Sequence, residues 1–342
     1  MKWSFILFAA WLLSANTNLV VAQKAVKQYP IEEFYKTTSF GGGHFNRQEN
    51  KLLITDNSSG IYNIYELDLN TLKKKPLTQS KKESLFSVDY IPGSSAFIYA
   101  SDKGGNENTH LYLQKEEGKV VDLTPGEKEK VSFAGWNKAK TGFYYTSNAR
   151  DPKAFDLYRM NLSDWKTQLL YKNDKALDIG SVSPDETHML LTKNVTTDKT
   201  DLYLLNRKTN ELKKISGDDV ASATPQDWEK DNSAFYYTTN EDNEYTYVVK
   251  YDILTGNKEK IFSTGWDVVF MNLSENGKYH IIGINEDGRN KILLFDHASG
   301  KQLQFPELKD GFVLGANVSP SEKNMMLYVG SDRSPTNLYI YN

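Results

Sequence analysis

A five-residue phrase of the form apolar-Tyr-x-apolar-Asp/Asn returns along this chain at a nearly constant interval, and no other feature restricts the fold as tightly. It reads Ile64-Tyr65-Glu66-Leu67-Asp68, Leu157-Tyr158-Arg159-Met160-Asn161, Leu202-Tyr203-Leu204-Leu205-Asn206 and Leu338-Tyr339-Ile340-Tyr341-Asn342. Weaker copies fall between them at Leu111-Tyr112, at Val248-Val249 with Asp252, and at Ile292-Leu293 with Asp296. The second residue of each copy stands at 65, 112, 158, 203, 249, 293 and 339, so the interval stays between 44 and 47 residues. A fixed period of this length marks a unit that cannot cover its own apolar faces and must stack on copies of itself.

The flanking segments repeat as well. Upstream of each copy lies an aromatic and aliphatic run, such as Lys51-Leu52-Leu53-Ile54, Gly142-Phe143-Tyr144-Tyr145 or Ala234-Phe235-Tyr236-Tyr237. Polar turns follow, among them Asp56-Asn57-Ser58-Ser59-Gly60, where Gly, Asn and Asp tolerate positive φ or bond to their own backbone. Downstream come short charged strands over residues 73–78, 119–124, 166–171, 211–216, 258–263 and 301–306. Charge on an outer strand keeps a sheet edge from pairing with other chains. With an innermost strand added, for example Ile179-Gly180-Ser181-Val182-Ser183, each unit holds four strands, which is a propeller blade. The expected fold is therefore all-β, a seven-bladed β-propeller of four-stranded antiparallel blades. The composition agrees: 21 Tyr against 6 Met, and 13% aromatic residues, suit pleated strands better than helices. A β-sandwich is the alternative, but nothing obliges its strands to recur with one long period.

Only six outer strands can be found, and Asn342 stands at the end of the third strand of the seventh repeat. Either residues 29–34 supply the missing strand and pair the two ends, or the last blade is incomplete and the chain is the front part of a longer protein; an end inside a repeat favours the second.

Residues 1–22 differ from the rest. Lys2 gives a positive start, Trp3 to Ala15 an apolar stretch, and Val20-Val21-Ala22 the small residues read at a cleavage site before Gln23. The apolar stretch of about 13 residues is shorter than the roughly 20 that span a bilayer. The expectation is a signal peptide over 1–22, a propeller domain over 23–342 and a periplasmic or secreted location. With no Cys at the cleavage point, or anywhere in the chain, neither a lipid anchor there nor a disulfide framework is expected. The net charge of −3 is interspersed, so no basic face for nucleic acid stands out.

Candidate chemistry is sparse. A serine nucleophile on a strained elbow needs G-x-S-x-G; Gly93-Ser94-Ser95 and Gly180-Ser181-Val182-Ser183 come nearest and both lack the closing Gly. His44, His110, His188, His280 and His297 read as one per repeat, with no metal-ligand spacing. Gly41-Gly42-Gly43-His44 lacks the Lys-Ser/Thr of a phosphate loop and reads as the first blade's inner strand and turn. Asn285-Glu286-Asp287-Gly288-Arg289 lacks the later acidic ligand of a calcium loop and reads as a tight hairpin. Asp102-Lys103-Gly104-Gly105-Asn106-Glu107 is a longer polar loop of the kind that carries recognition residues. No catalytic, cofactor-binding or metal-binding residue is assigned, and the chain is expected to be inactive by itself.

Several phrases, taken in order, resemble the amino-terminal propeller of the prolyl oligopeptidase family. They are the Asp102–Tyr112 segment, Ser183-Pro184-Asp185, Gly265-Trp266-Asp267-Val268, Asn285-Glu286-Asp287-Gly288-Arg289 and Ser331-Asp332-Arg333-Ser334-Pro335. Within the family the bacterial dipeptidyl-aminopeptidase and acylaminoacyl-peptidase group is the most similar. The resemblance implies an exported serine peptidase in which the propeller caps an α/β-hydrolase domain and restricts entry to short peptides. That hydrolase half is missing here, and Glu32-Glu33 lacks the flanking sequence of the acidic pair that holds a peptide amino terminus in some members. The partners implied are the hydrolase domain and peptide substrates. Two other readings stand beside this one: a self-sufficient periplasmic propeller of the Tol-system kind that binds another protein through its loops, and a propeller enzyme, a lyase or glycosidase, with carboxylates converging at the axis.

Overall fold

The computed structural model describes residues 26–36, 38–219, 221–306, 308, 311–332 and 334–342. The expected signal peptide lies outside them. The chain divides into two compact units, Met1–Thr38 and Ser39–Asn342. In the first, Ile31–Phe34 form a helical turn, α1, started by the fixed φ of Pro30. The strand considered for residues 29–34 is therefore not formed.

The second unit is the propeller. Blade 1 consists of β1 (Phe40–Phe45), β2 (Lys51–Asp56), β3 (Asn63–Asp68) and β4 (Lys74–Pro76); blade 2 of β5 (Phe86–Tyr90), β6 (Phe97–Ser101), β7 (His110–Gln114) and β8 (Val120–Asp122). Blade 3 follows with β9 (Val131–Trp136), β10 (Gly142–Asp151), β11 (Ala154–Asn161) and β12 (Thr167–Tyr171), and blade 4 with β13 (Asp178–Val182), β14 (His188–Asn194), β15 (Thr200–Asn206) and β16 (Glu211–Lys214). Blade 5 has β17 (Ala223–Trp228), β18 (Ala234–Thr239), β19 (Tyr247–Asp252) and β20 (Lys258–Phe262); blade 6 has β21 (Asp267–Leu273), β22 (Tyr279–Glu286), β23 (Arg289–Asp296) and β24 (Gln302–Leu303). Blade 7 has three strands, β25 (Phe312–Val318), β26 (Met325–Gly330) and β27 (Asn337–Tyr341). Each sheet takes its strands in sequence order, and every pair is antiparallel.

Strand alternation builds the ring. On β2, Leu52 and Ile54 face blade 7 while Leu53 faces blade 2; on β10, Phe143 and Tyr145 face blade 2 while Tyr144 faces blade 4. The buried apolar residues accordingly fall into seven clusters, one at each junction between neighbouring blades, including blade 7 against blade 1 through Met326, Phe45, Leu52 and Ile54. Sheet stacks on sheet all the way round, which is why the second strands are apolar on both faces.

Every inner strand also slips register against its neighbour, between Gly42 and His44 in blade 1 and between Val313 and Gly315 in blade 7. The bulge adds twist and turns a residue out of the ladder; Val269 and Leu314, left out in this way, are half exposed.

Candidate functional site

The two ends of the ring differ. At one end lie the tight turns that join first to second and third to fourth strands. In six of the seven first turns, the residue at 49, 140, 186, 232, 277 or 322 has positive φ and its N–H bonds back to the residue three before it. Blade 2 uses Pro92-Gly93 instead. At the other end lie the longer and more varied connections, such as 77–85, 102–109, 215–222 and 240–246. Variable loops on a rigid frame are where recognition groups gather.

The turn end is bridged across the axis. Lys140, at the turn of blade 3, pairs with Glu275 at the turn of blade 6, 3.1 Å away. Lys138 Nζ from the same blade 3 turn donates to the Lys230 carbonyl of blade 5. Blades 3 and 6 are three places apart in a ring of seven, the greatest separation available, so this contact crosses the central channel.

Around the axis the inner strands are tied blade to blade. Asp89 Oδ2 accepts from Trp136 Nε1 at 2.8 Å and lies 3.7 Å from His44 Nδ1. Ser181 Oγ accepts from Trp228 Nε1 at 2.8 Å, and Asp227 from the Leu273 N–H at 2.8 Å. Four inner-strand carboxylates are present: Asp89 and Asp227 are engaged in bridging, while the exposed Asp178 and Asp267 stand at the loop-end starts of β13 and β21, where Asp178 accepts from Asn194 Nδ2 at 3.4 Å and Asp267 from the Thr246 N–H at 2.9 Å.

A group of interacting titratable side chains sits at the junction of blades 5 and 6. Glu229 is 7% exposed; it accepts from Lys250 Nζ at 2.6 Å and from Tyr236 Oη, and lies 3.3 Å from His297 Nε2. Burial pushes the Glu229 carboxyl up, but the bonds from Lys250 and Tyr236 outweigh it and hold the group below its ordinary value. The Tyr236 phenol is pushed up, first by burial and then by Glu229, and stays protonated. The His280 ring lies 4.4 Å from that of His297 and 5.4 Å from that of Tyr236. Burial, with His297 beside it, pushes His280 down to about 4, so it is neutral at pH 7. His280 Nε2 and His297 Nδ1 are both buried without a hydrogen-bond partner. A cavity of about 290 Å³ adjoins the group, lined also by Phe262, Phe295 and Glu259.

Reading the histidines as one per repeat is therefore corrected: His280 and His297 belong to the same blade, at the start of β22 and just past β23, which run antiparallel and bring them together. The sequence interval of 17 residues hid a pairing that only the hairpin register creates. His44 is on β1 beside Asp89, His110 is buried with Nδ1 3.1 Å from Asp122, and His188 is pushed down by burial. The serines take structural partners: Ser94 donates to Glu116, Ser181 receives Trp228 and Ser183 donates to Asp185. None of these three meets a histidine ring. Gly41 to His44 lie within β1, and Asp287-Gly288, both at positive φ, form the expected hairpin turn. The 102–109 loop is held by Glu83, which accepts from the Gly104 N–H, and by Asp102, which accepts from the Glu107 N–H; a cavity of about 590 Å³ lies beside it against Tyr99 and Tyr112. Glu33 on α1 pairs only with Lys36 among the described residues. No group of three or more His, Asp or Glu among the described residues forms a metal-binding cluster.

Fold and axis together define a seven-bladed β-propeller domain. A family model described as the prolyl oligopeptidase N-terminal beta-propeller domain matches residues 43–342, and the chain belongs to that family. A curated relative, dipeptidyl aminopeptidase BIII of Pseudoxanthomonas mexicana, is 29% identical over 118 residues, which is 34% of this chain and 17% of the relative. Among solved structures, an oligogalacturonate lyase in complex with manganese is similar in fold at TM-score 0.67 and 16% identity, covering 89% of this chain and 90% of the other. A prolyl endopeptidase aligns at TM-score 0.64 and 13% identity over 89% of this chain and 50% of its own.

Proposed function

We propose that this chain is the entry-restricting domain of an exported serine peptidase, non-catalytic in itself, acting in the periplasm or outside the cell with an α/β-hydrolase domain that supplies nucleophile, acid and His. The observation that carries this is the family match along residues 43–342, a propeller whose relatives include a dipeptidyl aminopeptidase. The bridge of Lys140 to Glu275 supports restriction, because a channel tied across one end admits peptide only from the other end or between blades. The loop end, with exposed Phe86 and Trp266, is the face offered to the hydrolase.

The test is reconstitution. The purified propeller should bind a separately expressed hydrolase domain of this family and lower its rate on long peptides more than on dipeptide or tripeptide substrates. A coding sequence that stops after codon 342, with no hydrolase that binds, would defeat the proposal.

A self-sufficient scaffold is the second reading. It is favoured by the contact of Glu49 with Ser319, Ser321 and Asn324, which joins blade 1 to blade 7 without any further domain.

A further inference from the structure

Buried polar atoms are nearly always paired, and the two orphaned ring nitrogens on the neighbouring residues His280 and His297 depart from that rule together. The surroundings of His297 supply a reason. Its Nε2 lies 3.3 Å from one oxygen of Glu229, whose other oxygen accepts from Lys250 at 2.6 Å. The ring proton therefore belongs on Nε2, facing the carboxylate, and the buried Nδ1 is left as a bare lone pair. A carboxylate behind one imidazole nitrogen, with the second nitrogen free, is the arrangement that orients a histidine as a metal ligand. The second ring agrees. His280, pushed down to about 4 by burial with His297 beside it, has no proton competing for its lone pair at neutral pH.

We propose that His280 Nε2 and His297 Nδ1 together bind one divalent transition-metal ion of tetragonal geometry, best matched by copper(II), with Glu229 orienting His297 and water completing the coordination. The site is independent of the entry-restricting reading.

The ring spacing selects the ion. Two imidazoles at right angles on one ion, with metal–nitrogen bonds of about 2.0 Å, have ring centres about 4.5 Å apart, and at the tetrahedral angle about 5 Å. The rings of His280 and His297 are 4.4 Å apart. That separation suits the tetragonal geometry of copper(II), which also stands highest in affinity among the divalent first-row ions. No cluster of three or more His, Asp or Glu forms among the described residues, so the other positions fall to water, and the cavity of about 290 Å³ that both rings line has room for it. Around the rings the carboxylates of Glu229 and Glu259 outnumber the one ammonium, Lys250, a balance that favours a cation. Because Glu229 belongs to blade 5 and both rings to blade 6, a bound ion braces the junction between them.

The test titrates copper(II) into the tag-free full chain at pH 7.5; with no Cys, no thiol competes for the ion or reduces it. Electron paramagnetic resonance should show one ion per chain with hyperfine structure from two imidazole nitrogens. The double variant His280→Phe/His297→Gln should lose this signal, whereas His44→Gln, altering a histidine on β1, should keep it. Glu229→Gln should weaken binding by about 10–100-fold, the usual effect of removing the carboxylate behind a ligand. An absence of saturable copper overturns the site, as does a signal from one nitrogen or none. An equal signal in the double variant means an adventitious ion only and overturns it too. Unchanged affinity in Glu229→Gln overturns the role given to that carboxylate. The spectrum of the unaltered chain decides the matter even where a variant fails to fold, and circular dichroism identifies any that does.

Discussion

Glu49 of the first blade accepts a hydrogen bond of 2.7 Å from the Ser319 hydroxyl of the seventh, joining residues 270 positions apart. The same carboxylate accepts from the Ser321 N–H at 2.6 Å and from Asn324 Nδ2 at 3.3 Å. Glu49 is the left-handed residue of its turn, and the equivalent residues reach back one blade elsewhere in the ring: Glu322 to the Asn276 N–H, Asn232 to the Asp185 N–H, and Glu186 to Tyr144 and Arg159. The last junction is thus made with the device used at other junctions, although blade 7 has only three strands. Among the described residues, blade 7 is joined to blade 1 by these side chains and by the cluster of Met326 with Phe45, Leu52 and Ile54.

Replacing Glu49 by Ala should cost about 1–3 kcal/mol, because the fully buried Ser319 hydroxyl would lose its short bond to the carboxylate and keep only long contacts with the Asn324 N–H and Ser321 Oγ. Urea unfolding with an unchanged slope and a lower midpoint is the expected result. Burial pushes Glu49 up, but the bonds from Ser321 and Ser319 hold it below the ordinary 4.5. A carboxyl with a depressed folded value stabilises above its unfolded value and loses that contribution as pH falls. The gap between parent and variant should therefore be full above about pH 4.5 and narrow below it.

Leu202 is fully buried at the junction of blades 4 and 5, between Leu190 and the aromatic residues Phe235 and Tyr237. Leu202→Ala should lower stability by about 2–5 kcal/mol, the usual cost of a core cavity. A chemical melt equal to that of the parent would remove this residue from the core.

Gly93 has φ +78 with nothing within 4 Å of a Cβ placed on it. Gly93→Ala should therefore cost about 1 kcal/mol through backbone strain alone. Gly93→Asn should cost less, since Asn tolerates the left-handed region. Equal melts for the Ala variant and the parent would contradict the turn geometry.

The repeat was legible because strand alternation and the Tyr-centred phrase recur in the sequence itself: the third strands fall at the seven marked positions and the second strands on the aromatic runs. Turn chemistry was legible where Gly fills the left-handed position, as at Gly288, and illegible where Glu49, Lys140, Glu186 or Glu322 fills it, since these residues carry no turn signal. Contacts that depend on register or on ring geometry left no local trace. The His280–His297 pair needs the β22–β23 alignment, Trp228 and Ser181 meet only because neighbouring inner strands lie side by side, and Lys140 meets Glu275 only across a closed ring. The helical turn at Ile31–Phe34 was missed because a short aromatic segment fits a strand as readily as a turn of helix, and Pro30 decides it.

The closure of the ring by blade 7 on blade 1 is tested most directly by cross-linking. With no native Cys, Glu49→Cys/Ser321→Cys offers two thiols to a short bifunctional reagent. The structure predicts rapid intramolecular linkage in the folded monomer and none in urea. Slow linkage in the folded state, or linkage only between molecules, would mean that the first and seventh blades do not meet.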